Sequence, residues 1–385
     1  MRIFVDKRWT LSLLLGILAV SSVFGQQEVA AVPGGSRPIV PEASLIVDWS
    51  GVFRGGSAHR PVLRGLLSFG FSLDLERAVG LHGGTLHASY ALQRGDNGSD
   101  VAGDLQGYSN IDAEDFNHLS EAWYEQRLLG GDLRIKGGLL DANTDFAFVR
   151  AGGQFVNSSA GYSPTIFPLP TYPDPEPGLV LSFAPSAYLS LSLGVFSSPN
   201  SHSAIERSRQ SFSIAEIDVR WPSFGQFKRG RAVLGLWKDS AKIEQLDGLL
   251  RRGSSDAYLI IEQVLWSVPG LAGDGERILG VFAQWGGGDG LSHEIGRHLA
   301  LGVSMAGLFQ ARTEDNAGLM VTRVHRASLG PAHPRGEESV IELFYGWRIG
   351  RRLVVKPDLQ LISHPRGVLP RGTTLVGTLR VEYSF

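Results

Sequence analysis

The chain closes on TTLVGTLRVEYSF, Thr373 to Phe385, and this stretch alternates with a period of two. Leu375, Gly377, Leu379, Val381, Tyr383 and Phe385 share one face; Thr374, Val376, Thr378, Arg380, Glu382 and Ser384 share the other. A period of two marks a strand. An apolar-aromatic face set against a charged one suits a strand with lipid on one side and a watery lumen on the other. About 9–11 tilted residues cross a bilayer, so the stretch is long enough. An edge strand of a soluble sandwich alternates in the same way, and the remaining chain decides between the two.

Upstream, short alternating segments follow one another: 45–53, 64–77, 81–92, 118–129, 132–141, 177–184, 187–196, 211–221, 231–239, 255–266, 277–286, 296–307, 317–327, 337–349, 352–363 and 373–385. That is about sixteen, and bacterial barrels have an even number. Their connections alternate in length. With Phe385 at the periplasmic rim, the periplasmic turns include Gly350-Arg351, Pro222 to Gly230, Pro185-Ser186, Gly130-Gly131 and Ala78 to Gly80, with Ser267 to Glu276 and Leu308 to Asn316 less tight. The outer connections are longer: Gln93 to Asn117, Ala142 to Glu176, Ser197 to Gln210, Ser240 to Ser254 and His364 to Gly372. Short turns on one side and long loops on the other are a barrel property, and a sandwich predicts no such parity. The fold class is therefore all-β, a transmembrane antiparallel barrel of about sixteen strands with a polar lumen.

Composition agrees. The chain is 43% hydrophobic and 19% charged, so it is neither disordered nor a bundle of membrane helices. Its 49 glycines exceed the average share of roughly 7%, which favours strands and turns. Cysteine is absent, which excludes disulfides and thiolate metal sites. Arg2, Lys7 and Arg8 precede an apolar run, LSLLLGILAVSSVF, and small residues follow at Val23-Phe24-Gly25. That pattern reads as a signal peptide over 1–25, a periplasmic lead-in over 26–44 and a barrel over 45–385. Removing Arg2, Asp6, Lys7 and Arg8 takes a net +2 from a total of −2, leaving −4. Nucleic acid is not an expected partner of such a chain.

Several strands repeat the split of the last one. Ile341, Leu343, Tyr345, Trp347 and Ile349 oppose Glu342, Phe344 and Arg348; Leu353, Val355, Pro357, Leu359 and Leu361 oppose Lys356, Asp358 and Gln360; Ala215, Ile217, Val219 and Trp221 oppose Glu216, Asp218 and Arg220. A Lys or Arg at the lipid midplane costs roughly 2–4 kcal/mol, so the charged face is the lumen. Pro357 removes a ladder donor, and a local bulge is expected there. Segments 231–239, 255–266 and 317–327 are not cleanly split, and their faces stay unassigned. For the last strand, Val381→Arg is expected to cost far more stability than Arg380→Ala.

Two stretches resemble the carbohydrate-selective porins of the OprB type: Glu121 to Phe167 and Ile341 to Gly367. In that family a Gly-Lys-(Leu/Met)-Asp segment precedes an Asp-Phe pair and an Asn-Ser-Ser segment, and a Pro-Asp-(Leu/Val)-Gln segment lies in the penultimate strand. Here they are Gly138-Leu139-Leu140-Asp141, Asp145-Phe146, Phe155-Val156-Asn157-Ser158-Ser159 and Pro357-Asp358-Leu359-Gln360. Leu139 stands where the family carries Lys, with Lys136 close by. The resemblance implies a barrel of about sixteen strands in the bacterial outer membrane, monomeric or a homotrimer, passing small sugars passively. It implies no cofactor and no energy source, and the chain is not expected to be an enzyme. It also implies that the terminal Phe385 addresses the chain to the barrel-assembly machinery.

A barrel this wide needs a constriction to be selective. The segment Ala142 to Glu176, rich in Phe and ending in PLPTYPDPEPG, is too apolar for water and is expected inside the lumen, the other option being a cap over the mouth. Candidate constriction residues are Asp141, Asp145, Phe146, Phe155 and Asn157. Candidate pore-lining residues, chosen for stacking on sugar C–H faces or bonding hydroxyls weakly, are Glu121, Trp123, Glu125, Arg127, Glu342, Arg348, Asp358, Gln360, Arg380 and Glu382. Most of these are equally consistent with charges that pair across the wall. His87, His202, His293, His298, His325 and His364 show no metal spacing. Ser201-His202-Ser203 has no nucleophile elbow behind it, and Gly286 to Gly290 leads into no helix. The pairs Arg251-Arg252 and Arg351-Arg352 could meet lipopolysaccharide phosphates, alongside other outer-membrane lipids. A general porin, a lipid-hydrolysing barrel enzyme and a plugged structural barrel remain as alternatives.

Overall fold

A computed structural model describes residues 37–199, 210–244, 250–269, 276–288, 293–326, 336–367 and 372–385. The expected signal peptide, most of the lead-in and the Ser201-His202-Ser203 run lie outside the described residues. Sixteen strands form the wall: β1 (Ile39–Arg54), β2 (Val62–Asp74), β3 (Gly84–Gly95), β4 (Phe116–Leu128), β5 (Leu133–Leu140), β6 (Glu176–Ser186), β7 (Leu189–Ser197), β8 (Ser211–Trp221), β9 (Gly230–Glu244), β10 (Leu250–Pro269), β11 (Glu276–Gly287), β12 (Ile295–Ala306), β13 (Asn316–Arg326), β14 (Gly336–Ile349), β15 (Leu353–Ser363) and β16 (Thr373–Ser384). Each pairs antiparallel with its sequence neighbours, and β16 closes on β1. Closure leaves no free edge along the wall, which lipid requires.

The expected period of two holds. Along β16, Thr374, Val376, Thr378 and Arg380 are buried inside, while Leu379 is exposed toward lipid. Trp49, Phe53, Leu63, Leu343 and Trp347 are among the large apolar side chains on the outside. In water such a surface would drive aggregation; in a bilayer it is the solvent-matched face. Among the described residues no helix is long and apolar enough to cross a membrane.

The connections keep the expected asymmetry. One end carries the turns 129–132, 187–188, 222–229 and 350–352, and the other carries 96–115 and 141–175. Phe385 lies at the short-turn end, where its N–H donates to Ala43 O at 3.0 Å. Three local expectations are corrected. β1 begins at Ile39, inside the expected lead-in, because Ile39 to Ala43 already pair with Leu73 to Phe69; Pro41 is tolerated there since β16 has ended and β1 is an edge. Most of Ser240 to Ser254 is strand, with Glu244 pairing Leu250 and Asp239 pairing Ser254, so Arg251-Arg252 belong to β10. Pro357 makes no bulge: the β14–β15 ladder lapses at Tyr345 and Gly346 and resumes in the same register.

The faces that the sequence leaves unassigned also resolve. Val233 and Trp237 on β9, Tyr258 and Ile260 on β10, and Met320 and Val324 on β13 point inward and are buried. The lumen is therefore apolar along this side, and something apolar fills it.

Candidate functional site

The filling is the loop 141–175, which folds into the lumen as expected. Its start and end are clamped together. The Asp141 carboxylate accepts from Asn143 N at 2.9 Å and from Tyr172 N at 3.2 Å, and Ala142 N donates to Pro170 O at 2.7 Å. Burial pushes the Asp141 carboxyl above its ordinary pKa. From this neck the loop sends aromatic side chains into the apolar wall. Phe146 meets Phe196 edge-on at 6.3 Å, Phe155 meets Phe282 and Phe344 at 5.7 and 4.9 Å, and Phe167 meets Trp237 at 5.8 Å. Edge-to-face rings at these distances add to the stabilisation that burial gives.

Carboxylates on the wall then hold the loop by its backbone. Glu216 on β8 accepts from Ala147 N at 2.8 Å, Glu262 on β10 from Ala151 N at 2.7 Å, and Glu342 on β14 from Val156 N and Asn157 N at 2.6 and 3.2 Å. A loop pulled out of water must have its N–H groups met, and these carboxyl oxygens on the wall meet them. The Tyr258 hydroxyl donates to Glu216 at 2.7 Å. Gly235 leaves room for that ring, since a Cβ there would lie 1.9 Å from it. The Asn157 amide donates to Gln360 at 3.1 Å, and Lys356 donates to Gln154 O at 3.0 Å.

A second loop, 96–115, lies against the first. Asn110 N donates to Val156 O at 2.7 Å and Ser158 N to Gly107 O at 2.8 Å. It is held to the wall by Arg64, which donates to Tyr108 Oη at 2.7 Å, by Gln360, which donates to Tyr108 O at 2.7 Å, and by Ser109, which donates to Asp48 at 2.7 Å.

A charged cluster occupies β4 and β5 beside the loop neck. Arg134 bonds Asp145 at 2.6 Å and Glu125 at 3.2 Å; Lys136 bonds Asp145 at 3.0 Å and lies 4.0 Å from Glu121; Arg127 bonds Glu125 at 2.8 Å. Burial alone would raise the pKa of Asp145, but Lys136 and Arg134 outweigh it and hold that carboxyl below its ordinary value. Lys136 sits 4.5 Å over the Trp123 ring, whose other neighbour is His87, stacked at 4.8 Å. Gly138 is required here. Its φ is +144°, and a Cβ would lie 2.2 Å from Ala122 O, a position open only to glycine.

The expected site residues thus divide. Glu121, Glu125, Arg127, Asp141 and Asp145 come together around this cluster, and the Arg127 side chain is 43% exposed. Trp123 is buried between two partners and offers no face for stacking. Glu342, Gln360, Asn157, Phe146 and Phe155 are buried loop anchors, and Asp358 is buried beside Gln360 at 3.0 Å. Arg380 is buried on Asp48. These side chains are at most 6% exposed. Glu382 pairs with Lys356 at 2.8 Å and stays 29% exposed. Arg348 lies apart, at the short-turn rim, bonding Arg351 O at 3.3 Å. Arg134 and Glu262 are not among the expected residues, and Lys136 and Glu216, noted beside Leu139 and on the lumen face, are not among the site candidates. For Arg134 and Lys136 the signal was available, since LRIKGGLL puts both on one face. Among the described residues no group of three or more His, Asp or Glu side chains is placed to hold a metal ion.

The model of the carbohydrate-selective porin, OprB family, matches residues 63–385. Porin B of Pseudomonas aeruginosa is 29% identical over 35% of this chain and 34% of its own length, so the match spans about a third of that relative. Among solved structures, the high-pH structure of Pseudomonas putida OprB has a TM-score of 0.79 at 20% identity, covering 90% of this chain and 94% of that one. The low-pH structure of the same protein has a TM-score of 0.61 at 18% identity, covering 90% and 93%. At these identities the structures speak for the fold.

Proposed function

The chain belongs to the OprB family of carbohydrate-selective porins, and on that premise we propose that it passes small sugars by diffusion across the bacterial outer membrane. One observation carries this reading: the infolded loop covers the apolar side of the lumen, while Arg127, Arg134 and Glu121 on β4 and β5 keep 43, 23 and 15% of their side-chain surface exposed. Such a wall offers hydroxyl groups charged partners already engaged with one another. Each contact with a solute is then weak, as conduction requires. Family and fold point to a channel rather than an enzyme. The exposed Phe385 at the periplasmic rim supports its role as an address for the assembly machinery, and outer-membrane lipids meet the apolar exterior.

The test is conductance of the purified protein in planar bilayers. Stepwise ion current, blocked in a concentration-dependent way by glucose or oligosaccharides, is expected. No current steps would overturn the channel reading. Current that no sugar blocks would reduce it to a general diffusion pore.

A further inference from the structure

Glu338 on β14 is fully buried and accepts from Leu105 N at 2.9 and 3.1 Å, from the Gln106 amide at 3.3 Å and from Arg366 N at 2.9 Å. Beside it, in the loop 96–115, is Asp104, 7% exposed. The Ser99 hydroxyl and the Tyr108 N–H lie near Asp104, but neither of its two buried carboxylate oxygens takes a hydrogen bond of normal geometry. Among the described residues, no salt bridge reaches Asp104 or Glu338. The cation that attracts Asp104 is Arg64, whose guanidinium is committed to Asp112, Tyr108 and Ser50.

An unpaired carboxylate this deep is costly unless a proton or a cation accompanies it. The neighbouring pair Glu342 and Asp358 touch through a hydrogen bond and can share a proton. Asp104 and Glu338 act on each other through charge alone. No hydrogen bond joins the two carboxyls, so neither hands the other a proton directly, whereas a bridging cation needs no such bond. Three N–H groups hold the Glu338 carboxyl in place against the loop.

We propose that a hard divalent cation such as Ca2+ binds between Asp104 and Glu338 and pins the loop 96–115 to the barrel wall. Two carboxylates suit a hard cation that takes oxygen ligands, with backbone carbonyl and water oxygens completing its shell. The ion would cancel the repulsion between the two groups and satisfy the oxygens that lack donors.

The experiment uses the full mature barrel, refolded in zwitterionic detergent without lipopolysaccharide, and Tb3+ as probe, excited through the aromatic side chains, among them Tyr108 of the same loop. Saturable emission displaced by Ca2+ is expected, together with a rise in melting temperature on adding Ca2+. Asp104→Asn should weaken binding by about 10–100-fold or more and remove the Ca2+-dependent melting shift, whereas Asp100→Asn, an exposed neighbour, should change neither. Where Asp104→Asn fails to refold, Glu338→Gln takes its place with the same expectation. No saturable emission from the wild type, or emission that survives Asp104→Asn or is lost with Asp100→Asn, would overturn the site.

Discussion

Arg380 closes the barrel on Asp48. The guanidinium of the last strand meets the carboxylate of the first with two hydrogen bonds, Nε–Oδ1 2.7 Å and Nη2–Oδ2 2.9 Å, across the seam between β16 and β1. Their side chains are 3% and 0% exposed. Arg64, also fully buried, stands 3.9 Å from the same carboxylate. Removing one partner of a buried pair strands the other charge, which costs about 3–5 kcal/mol. Asp48→Asn should therefore unfold at a clearly lower urea concentration in lipid. Adding Arg380→Met should restore part of the loss. Identical unfolding midpoints for Asp48→Asn and wild type would mean that the seam does not depend on this pair.

The same pair revises an expectation drawn from alternation alone. Val381→Arg was set against Arg380→Ala as a costly change against a mild one, but Arg380→Ala leaves Asp48 buried without its main partner. A cleaner contrast uses two adjacent residues. Leu379 is 39% exposed toward lipid, and Thr378 is 4% exposed, its hydroxyl 3.0 Å from Ser50 Oγ. Leu379→Arg should cost about 2–4 kcal/mol. Thr378→Ala should cost about 0.5–1.5 kcal/mol. Equal costs in denaturant unfolding would show that lipid and lumen faces were exchanged.

Legibility followed the chemistry of the lumen. On β14, β15 and β16 the inward residues are charged or polar, so alternation separates Glu342 from Leu343 and Arg380 from Leu379. On β9, β10 and β13 the inward Trp237, Ile260 and Met320 are as apolar as the outward Leu236, Ile261 and Leu319, because a loop packs where water would otherwise be. Two apolar faces carry no period-two signal. Partner choice was hidden for another reason: Asp48 and Arg380 lie 332 positions apart, and only closure of the barrel brings them together. Residue type suggested that Glu342 and Gln360 meet solute, yet both are spent on backbone and amide groups of the loops.

Glu216, Glu262 and Glu342 predict how the loop 141–175 can be loosened. Each accepts from loop N–H groups while buried, and a hydrogen bond of this kind contributes about 0.5–1.5 kcal/mol net. A single change to Gln keeps an acceptor and should weaken the hold modestly. The triple variant Glu216→Gln, Glu262→Gln, Glu342→Gln should free the loop, giving larger and noisier single-channel conductance with weaker block by sugars. Arg231, 2.9 Å from Glu262, keeps Asp218 at 3.1 Å as an ion partner, and the lipid face is unchanged, so folding should persist at reduced stability. Conductance and noise matching the wild type in the triple variant would show that the aromatic contacts of Phe146 and Phe155 suffice.

Asp145 makes the hold on the loop neck sensitive to acid in a defined direction. It bridges Arg134 at 2.6 Å and Lys136 at 3.0 Å, so its carboxyl is held below its ordinary 3.8 despite burial. A group whose pKa is lowered on folding contributes stability above its unfolded value and loses it as pH falls through the folded one. The bridge is thus complete at neutral pH and throughout the range above 3.8, and fails only below that value. Asp145→Asn removes the charge at every pH and leaves Lys136, 4% exposed, with Glu121 at 4.0 Å as its remaining ion partner. This variant should show at neutral pH the altered conductance and weakened sugar block that the wild type shows only in strong acid. Lys136→Met should share the neutral-pH phenotype, since it removes the other half of one bridge. Single-channel recording of the three proteins across a pH series checks this. If Asp145→Asn keeps wild-type conductance and sugar block at neutral pH, the bridge does not position the loop.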